Sequence, residues 1–157
     1  MSDIHTGLAD NARRAVASAL TNVLADTYAL YLKTHSYHWN VTGPQFHTLH
    51  VLFEEQYREM WAALDEIAER VRALGVFAPA SGKAFAELTV IDSAEKEPPA
   101  AEKMVENLLK DHETLIRRAR EALATAEEAS DPASEDLLTQ RIQTHEKTAW
   151  MLRSLTA

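Results

Sequence analysis

The stretch from His38 to Glu69, HWNVTGPQFHTLHVLFEEQYREMWAALDEIAE, decides the fold. Proline suits the first turn of a helix, and after Gly43 and Pro44 nothing breaks the pattern before Gly75, so the residues between read as one long helix. At about 100° per residue, with His50 at zero, Glu54 lies near 40°, Asp65 near 60° and Glu69 near 100°. Phe53, Tyr57, Met60, Leu64, Ile67, Val71 and Leu74 fall on the adjoining arc, at about 240° to 340°, wide enough for a core face. This helix therefore carries an apolar stripe and, beside it, a stripe of metal-ligand residue types.

One metal cannot collect all four ligands from one straight helix, because His50 and Asp65 are separated by about 22 Å of rise. A second copy of the chain resolves this. If two such helices lie antiparallel across a two-fold axis, the pairs His50 with Glu69 and Glu54 with Asp65 share one midpoint, between Glu59 and Met60. A single register then assembles both half-sites, and two-fold pairing is the commonest symmetry of homo-oligomers. A lone His with Glu at i+4 is ordinary on a solvated helix. Two acid-bearing pairs on one arc and in mutual register point instead to two equivalent sites per dimer, each shared between subunits.

The first long helix is expected from about Leu8 to near His38, with Val16, Leu20, Val23, Leu24, Thr27 and Tyr31 at core spacing. The same period puts His38 on the inward stripe, and the turn at Asn40 to Pro44 folds it back toward His50, which makes it a ligand candidate. Residues 75–99 hold two of the four glycines and three of the five prolines and form the connector, with a short helix at Lys83 to Leu88. Its 25 residues are long enough to cross the bundle. A third long helix begins near Pro99 or Ala100, with Met104, Val105, Leu108, Leu109, His112, Leu115, Ile116, Ala119 and Leu123 inward. Its basic run IRRAR, 116–120, reads as a solvated face paired with Glu113 and Glu121. Asp131 and Pro132 cap and open the last helix, whose inner stripe is Leu138, Ile142, His145, Ala149 and Leu152. The expectation is an all-α chain forming one domain over residues 1–157, a four-helix bundle with a long crossover between its second and third long helices.

The chain has 16 Lys plus Arg against 24 Asp plus Glu, a net charge of -8, which argues against a surface adapted as a whole to nucleic acid. The absence of cysteine excludes disulfides, thiolate zinc sites and iron-sulfur clusters held by this chain, so any metal is held by nitrogen and oxygen. No apolar run reaches the roughly 18 residues of a membrane span, and the N-terminus lacks a signal peptide's basic and apolar regions; a cytoplasmic protein with no membrane partner is expected. Two imidazoles and three carboxylates suit iron, manganese or zinc. Di-iron sites inside one bundle use Glu followed by His at i+3 on two helices, whereas the last helix here offers only His145 and Glu146. That again favours a site between subunits.

The stretch HSYHWNVTGPQFHTLHVLFEEQYREMWAALDEIAERVRALG, 35–75, with the later THEKTAWML, 144–152, resembles the Dps family (DNA-binding protein from starved cells). The combination of HWN, a His twelve residues after the first, and a DxxxER block is specific to it, and the resemblance runs from about Asp10 to Leu155. It implies a ferritin-like bundle assembled into a hollow homo-dodecamer that oxidises Fe(II), preferably with hydrogen peroxide, and stores ferric mineral. The family's ferroxidase ligands, which bind two irons per site, match His38, His50, Glu54, Asp65 and Glu69, the last two from the two-fold partner. Glu54 stands where an aspartate is frequent, and Glu69 opposite His50 is the candidate bridge. Zinc or manganese are possible substitutes for iron. Trp39 matches the family's tryptophan beside the site, where it intercepts oxidising equivalents or simply packs at the interface. Asp131 and Asp136 resemble the acidic residues of a three-fold iron-entry pore, although Asp131 also suits a helix cap.

DNA binding is expected to be weak or absent. The first fifteen residues carry no lysine, only Arg13 and Arg14 against Asp3 and Asp10, and no basic tail closes the sequence. Two other function classes compete with a ferroxidase and iron store: a nucleoid-associated DNA-protecting protein with secondary metal binding, and a structural assembly held by zinc without turnover.

Overall fold

The computed structural model describes residues 4–156, so Asp3 and Ala157 lie outside it. Five helices follow in order: α1 (Asp10–Asn40), α2 (Phe46–Ala73), α3 (Gly82–Leu88), α4 (Ala101–Glu128) and α5 (Pro132–Ser154). Helices α1 with α2 and α4 with α5 form two antiparallel hairpins, and α1 packs against α4 to join them. No strand occurs among the described residues. The expected four long helices and the short one in the crossover are all present, with α1 beginning two residues later than Leu8 and running past His38 to Asn40.

The turns explain the boundaries. After α2 the chain reverses through Gly75 at φ +91°, where the Val76 amide reaches back to the Val71 carbonyl at 3.3 Å. A side chain there would be strained and would meet the Ile4 side chain at 2.3 Å. Asp131 caps α5 with its carboxylate accepting from the Ser134 amide, and Pro132 follows in the first turn. Inside α1 the buried hydroxyls of Thr27 and Thr34 donate to the carbonyls of Val23 and Leu30, so these polar residues enter the core satisfied.

On α2 the buried residues are Leu49, Phe53, Gln56, Met60, Ala63, Ile67 and Val71. Tyr57 and Leu64, expected in the core, are only half-buried. The apolar stripe is thus centred farther from the ligand stripe, and these two residues form its rim. On α5 the expected stripe of Leu138, Ile142, His145, Ala149 and Leu152 is buried throughout, whereas Tyr31 on α1 and Leu109, Ile116 and Leu123 on α4, also expected inward, are half-buried.

The crossover is pinned by buried charge rather than by apolar packing alone. Asp26, fully buried in α1, accepts from the Thr89 hydroxyl at 2.8 Å, the Val90 amide at 2.9 Å and Arg118 Nε at 3.0 Å. Farther along, Glu95 accepts from the Tyr37 hydroxyl and from Asn107. Lys33 and Asp111 pair at 2.6 Å between α1 and α4. These contacts correct the reading of the basic run: Arg118 points inward to Asp26, Arg120 pairs with Glu146 of α5, and Glu113 pairs with Arg153. Arg118 and Arg120 tie α4 to α1 and α5, while Arg117 stays on its own helix and donates to the Thr114 hydroxyl.

Candidate metal-binding site

Helix α1 ends at Asn40, so the carbonyl of His38 is among the last four, which have no amide partner within the helix. His50, one turn into α2, supplies that partner: its Nδ1 donates to the His38 carbonyl at 2.8 Å. In return, Nδ1 of His38 donates to the His50 carbonyl at 2.7 Å. The two rings stack with centroids 3.8 Å apart and planes 18° from parallel. A carbonyl oxygen only accepts, so each ring carries its proton on Nδ1, and each neutral imidazole keeps its lone pair on Nε2. Metal-binding histidines are oriented by such a hydrogen bond from the other ring nitrogen.

Glu54 follows one turn later. Its carboxylate is held by Arg58 through contacts of 2.7 and 2.8 Å. The Arg58 hydrogen bond holds the Glu54 carboxyl below its ordinary value, with the nearby His38 and His50 adding to the effect. Asp65 and Glu69 lie exposed farther along the same arc of α2. One chain therefore brings His38 and His50 together, with Glu54 adjacent, and does not bring Asp65 or Glu69 to them. Among the described residues no group of three or more His, Asp or Glu side chains of one chain is placed to hold a metal ion. The donor set itself, neutral imidazole nitrogens and carboxylate oxygens, fits iron, manganese or zinc.

Around the histidines runs a row of rings. Trp39, 62% exposed, sits 4.1 Å from His35, and His35 stacks on Tyr57 at 3.9 Å. Tyr57 is 5.2 Å from His38, and Tyr31 lies 5.4 Å from Trp61. The Tyr31 hydroxyl is hydrogen-bonded to Nδ1 of His35 at 3.1 Å. Burial, then the neighbouring His38, pulls His35 below the ordinary imidazole value. The i, i+4 spacing of Tyr31, His35 and Trp39, matched by Tyr57 and Trp61 on α2, was the signal in the sequence for this row. Trp61 also lies on the ligand stripe, beside Asp65 in a groove of about 480 Å³ between α2 and the crossover.

Asp131 and Asp136 are placed differently from each other. Asp131 is buried, with both carboxylate oxygens bound by Arg70 and further contacts from Ser134. Burial alone would raise its carboxyl, but the hydrogen bonds of Ser134 and Arg70 outweigh that and hold it low. Asp136 is exposed and accepts from Gln140 at 2.7 Å.

The bundle interior has a different chemistry. Arg141 pairs with Glu59 and donates to Nε2 of His145 at 3.1 Å. A guanidinium only donates, so His145 holds its proton on Nδ1 and gives it to Nδ1 of His112 at 2.9 Å, leaving the His112 proton on Nε2. A fixed cation occupies this interior, consistent with a metal site placed elsewhere.

A family model described as a ferritin-like domain matches residues 17–157. A low temperature-induced protein of Nostoc sp. is 43% identical over 98% of this chain and 87% of its own length. DNA protection during starvation protein 2 of Bacillus anthracis is 39% identical over 90% of this chain and 96% of its own. Among solved structures, a DPS protein of Vibrio cholerae O1, described as a member of a broad superfamily of ferritin-like diiron-carboxylate proteins, superposes with a TM-score of 0.94 at 29% identity, covering 100% of this chain and 98% of that one.

Proposed function

The chain belongs to the Dps family of ferritin-like proteins, and from that premise we propose that it is a ferroxidase and iron store, oxidising Fe(II) with hydrogen peroxide at sites shared between two-fold-related subunits of a homo-dodecameric cage. The observation that supports this best is the reciprocal His38 and His50 hydrogen bonding, which leaves two Nε2 lone pairs free beside Glu54. Asp65 and Glu69 lie on the same helical arc, where a partner in antiparallel register would offer its own copies to complete each site. Iron is the substrate. His38, His50 and Glu54 of one subunit, with Asp65 and Glu69 of its partner, would hold it, with Glu69, opposite His50 in that register, as the candidate bridge.

Each Fe(II) gives one electron and peroxide accepts two, so paired ions reduce peroxide to water without releasing hydroxyl radical. The carboxylates balance the charge gained as Fe(II) becomes Fe(III). Trp39, at the edge of the site, intercepts oxidising equivalents that escape it. Zinc and manganese, which accept the same donors, would compete. Asp136, exposed at the start of α5, is the better placed of the two pore candidates to attract entering cations, since Asp131 is engaged by Arg70. Among the described residues no helix is long and apolar enough to cross a membrane. A net charge of -8 per chain opposes duplex DNA, and no tight complex is expected in a gel-shift at about 0.15 M salt.

The test is anaerobic addition of Fe(II) followed by peroxide, recording ferric absorbance by stopped flow, with light scattering on the iron-loaded protein. Rapid ferric formation on particles of twelve subunits is expected. Metal binding without ferric absorbance would instead favour a structural assembly.

A further inference from the structure

The row of rings beside the histidines contains one phenol with a base already in place. Of the tyrosines in that row, Tyr31 and Tyr57, and of Tyr28, which lies 6.1 Å from Tyr31, only Tyr31 has its hydroxyl hydrogen-bonded to a side-chain base among the described residues, at 3.1 Å from Nδ1 of His35. The remaining phenol with such a partner, Tyr37, gives its proton to Glu95 and packs against Phe53 in the core, away from the row. From His38 the ring-to-ring steps are 6.0 Å to His35 and 5.6 Å on to Tyr31, or 5.2 Å to Tyr57 and 6.3 Å on to Tyr31. Trp61 lies 5.4 Å beyond. An oxidised phenol is a strong acid, so a base held at hydrogen-bond distance removes the barrier of moving its proton through water.

We propose that Tyr31, with His35 as its proton acceptor, is a redox-active residue that lends the second electron for peroxide reduction when only one Fe(II) is bound. The proposal rests on the ferroxidase reading above. It would serve this chain in particular, because Arg58, paired with Glu54 at 2.7 Å, competes with a second ion for that carboxylate. Peroxide's O–O bond breaks as one electron arrives from the bound Fe(II) and one from Tyr31. Two hydroxide ions leave, the iron becomes Fe(III), and the phenol becomes a neutral phenoxyl radical whose proton rests on Nδ1 of His35, which requires His35 to carry its own proton on Nε2. The next Fe(II) reduces the phenoxyl and becomes Fe(III), and the proton returns from His35. The sum is two Fe(II) and one peroxide giving two Fe(III) and two hydroxide ions, with protein unchanged.

The experiment is freeze-quench electron paramagnetic resonance on the whole assembly, given substoichiometric Fe(II) anaerobically and then peroxide, with ferric absorbance recorded on the same samples. Wild type is expected to show a phenoxyl signal that Tyr31→Phe abolishes and Tyr57→Phe and Tyr37→Phe retain. His35→Leu is expected to keep a signal but raise its largest g value, because the radical loses its hydrogen-bond donor. Both Tyr→Phe and His→Leu changes keep the packing volume close enough for circular dichroism to verify the fold. Ferric absorbance in wild type with no phenoxyl, or with a phenoxyl that persists in Tyr31→Phe, overturns the redox role while leaving the ferroxidase reading standing. No ferric absorbance at all overturns both.

Discussion

Nδ1 of His38 and Nδ1 of His50 each donate to the other residue's backbone carbonyl, at 2.7 and 2.8 Å, so the turn that joins α1 to α2 also fixes which nitrogen of each ring faces outward. Because the acceptors are backbone carbonyls, replacing one ring by alanine removes one nitrogen donor and leaves the hydrogen bond that orients the other. The pair His50→Ala with Asp65→Ala takes one donor from each subunit's share of a site, and peroxide-dependent iron oxidation is expected to slow by at least about 10-fold, since even orienting partners of metal ligands are worth 10- to 100-fold. Stopped-flow ferric absorbance measures it. Unchanged far-ultraviolet circular dichroism would show that the fold survives, because His50 is only part-buried and Asp65 is exposed.

Arg58 competes with metal for Glu54. The guanidinium holds the carboxylate at 2.7 Å on an exposed helix face, where such pairs are weak enough to be displaced. Arg58→Ala is expected to tighten divalent-ion binding by about two- to fivefold, the size of an exposed ion pair. Titration calorimetry with Zn(II) reads this without turnover, and Arg58→Lys, which keeps the charge, should give a smaller change.

Much of this fold was legible because its signals are local. Pro44 and Pro132 mark helix starts, Gly75 marks a helix end, and the connector's composition enclosed α3 within a residue of its observed Gly82 start. The meeting of His38 with His50 was also legible, since a five-residue turn must fold one onto the other. What escaped were partners brought together only by the tertiary fold. Asp26 and Arg118 lie 92 residues apart in sequence, and Lys33 and Asp111 lie 78 apart. Each of these charges, read alone, belongs on a solvated face, and only its distant partner permits burial. Tyr31 was read as core and Trp39 as a neighbour of the site, but the row that joins them through His35 to Trp61 was missed for the opposite reason: helical periodicity finds core stripes, and these rings lie on the rim of one.

Asp131 and Asp136 sit a turn apart and separate by experiment. Asp131→Ala removes a helix cap and leaves the Arg70 guanidinium without its carboxylate, at a cost of about 2 kcal/mol. The melting midpoint is expected to fall by about 4–8 °C in a chain of this size. Asp136→Asn touches only Gln140, so stability should hold while iron uptake slows at low ionic strength. Differential scanning calorimetry and iron-uptake rates together distinguish a capping residue from a steering one.

Acid should weaken the bundle through its buried imidazoles. Burial holds His112 down to about 3 from an ordinary 6.5, helped by the Arg141 charge, and His145 is likewise held well below that value by burial, then by His112 and Arg141. Between these limits the unfolded chain binds protons that the folded bundle refuses, so stability rises with pH across the window and falls as pH drops from about 6.5 toward 3. The slope is at most about 1.4 kcal/mol per pH unit for one fully shifted imidazole. Above the ordinary imidazole value both states are neutral and the slope from this pair vanishes. Urea midpoints at pH 7, 6 and 5 should therefore decline in wild type. They should decline less in His112→Leu with His145→Leu, where Arg141 keeps Glu59 as its partner and the paired imidazoles that resist protonation are gone.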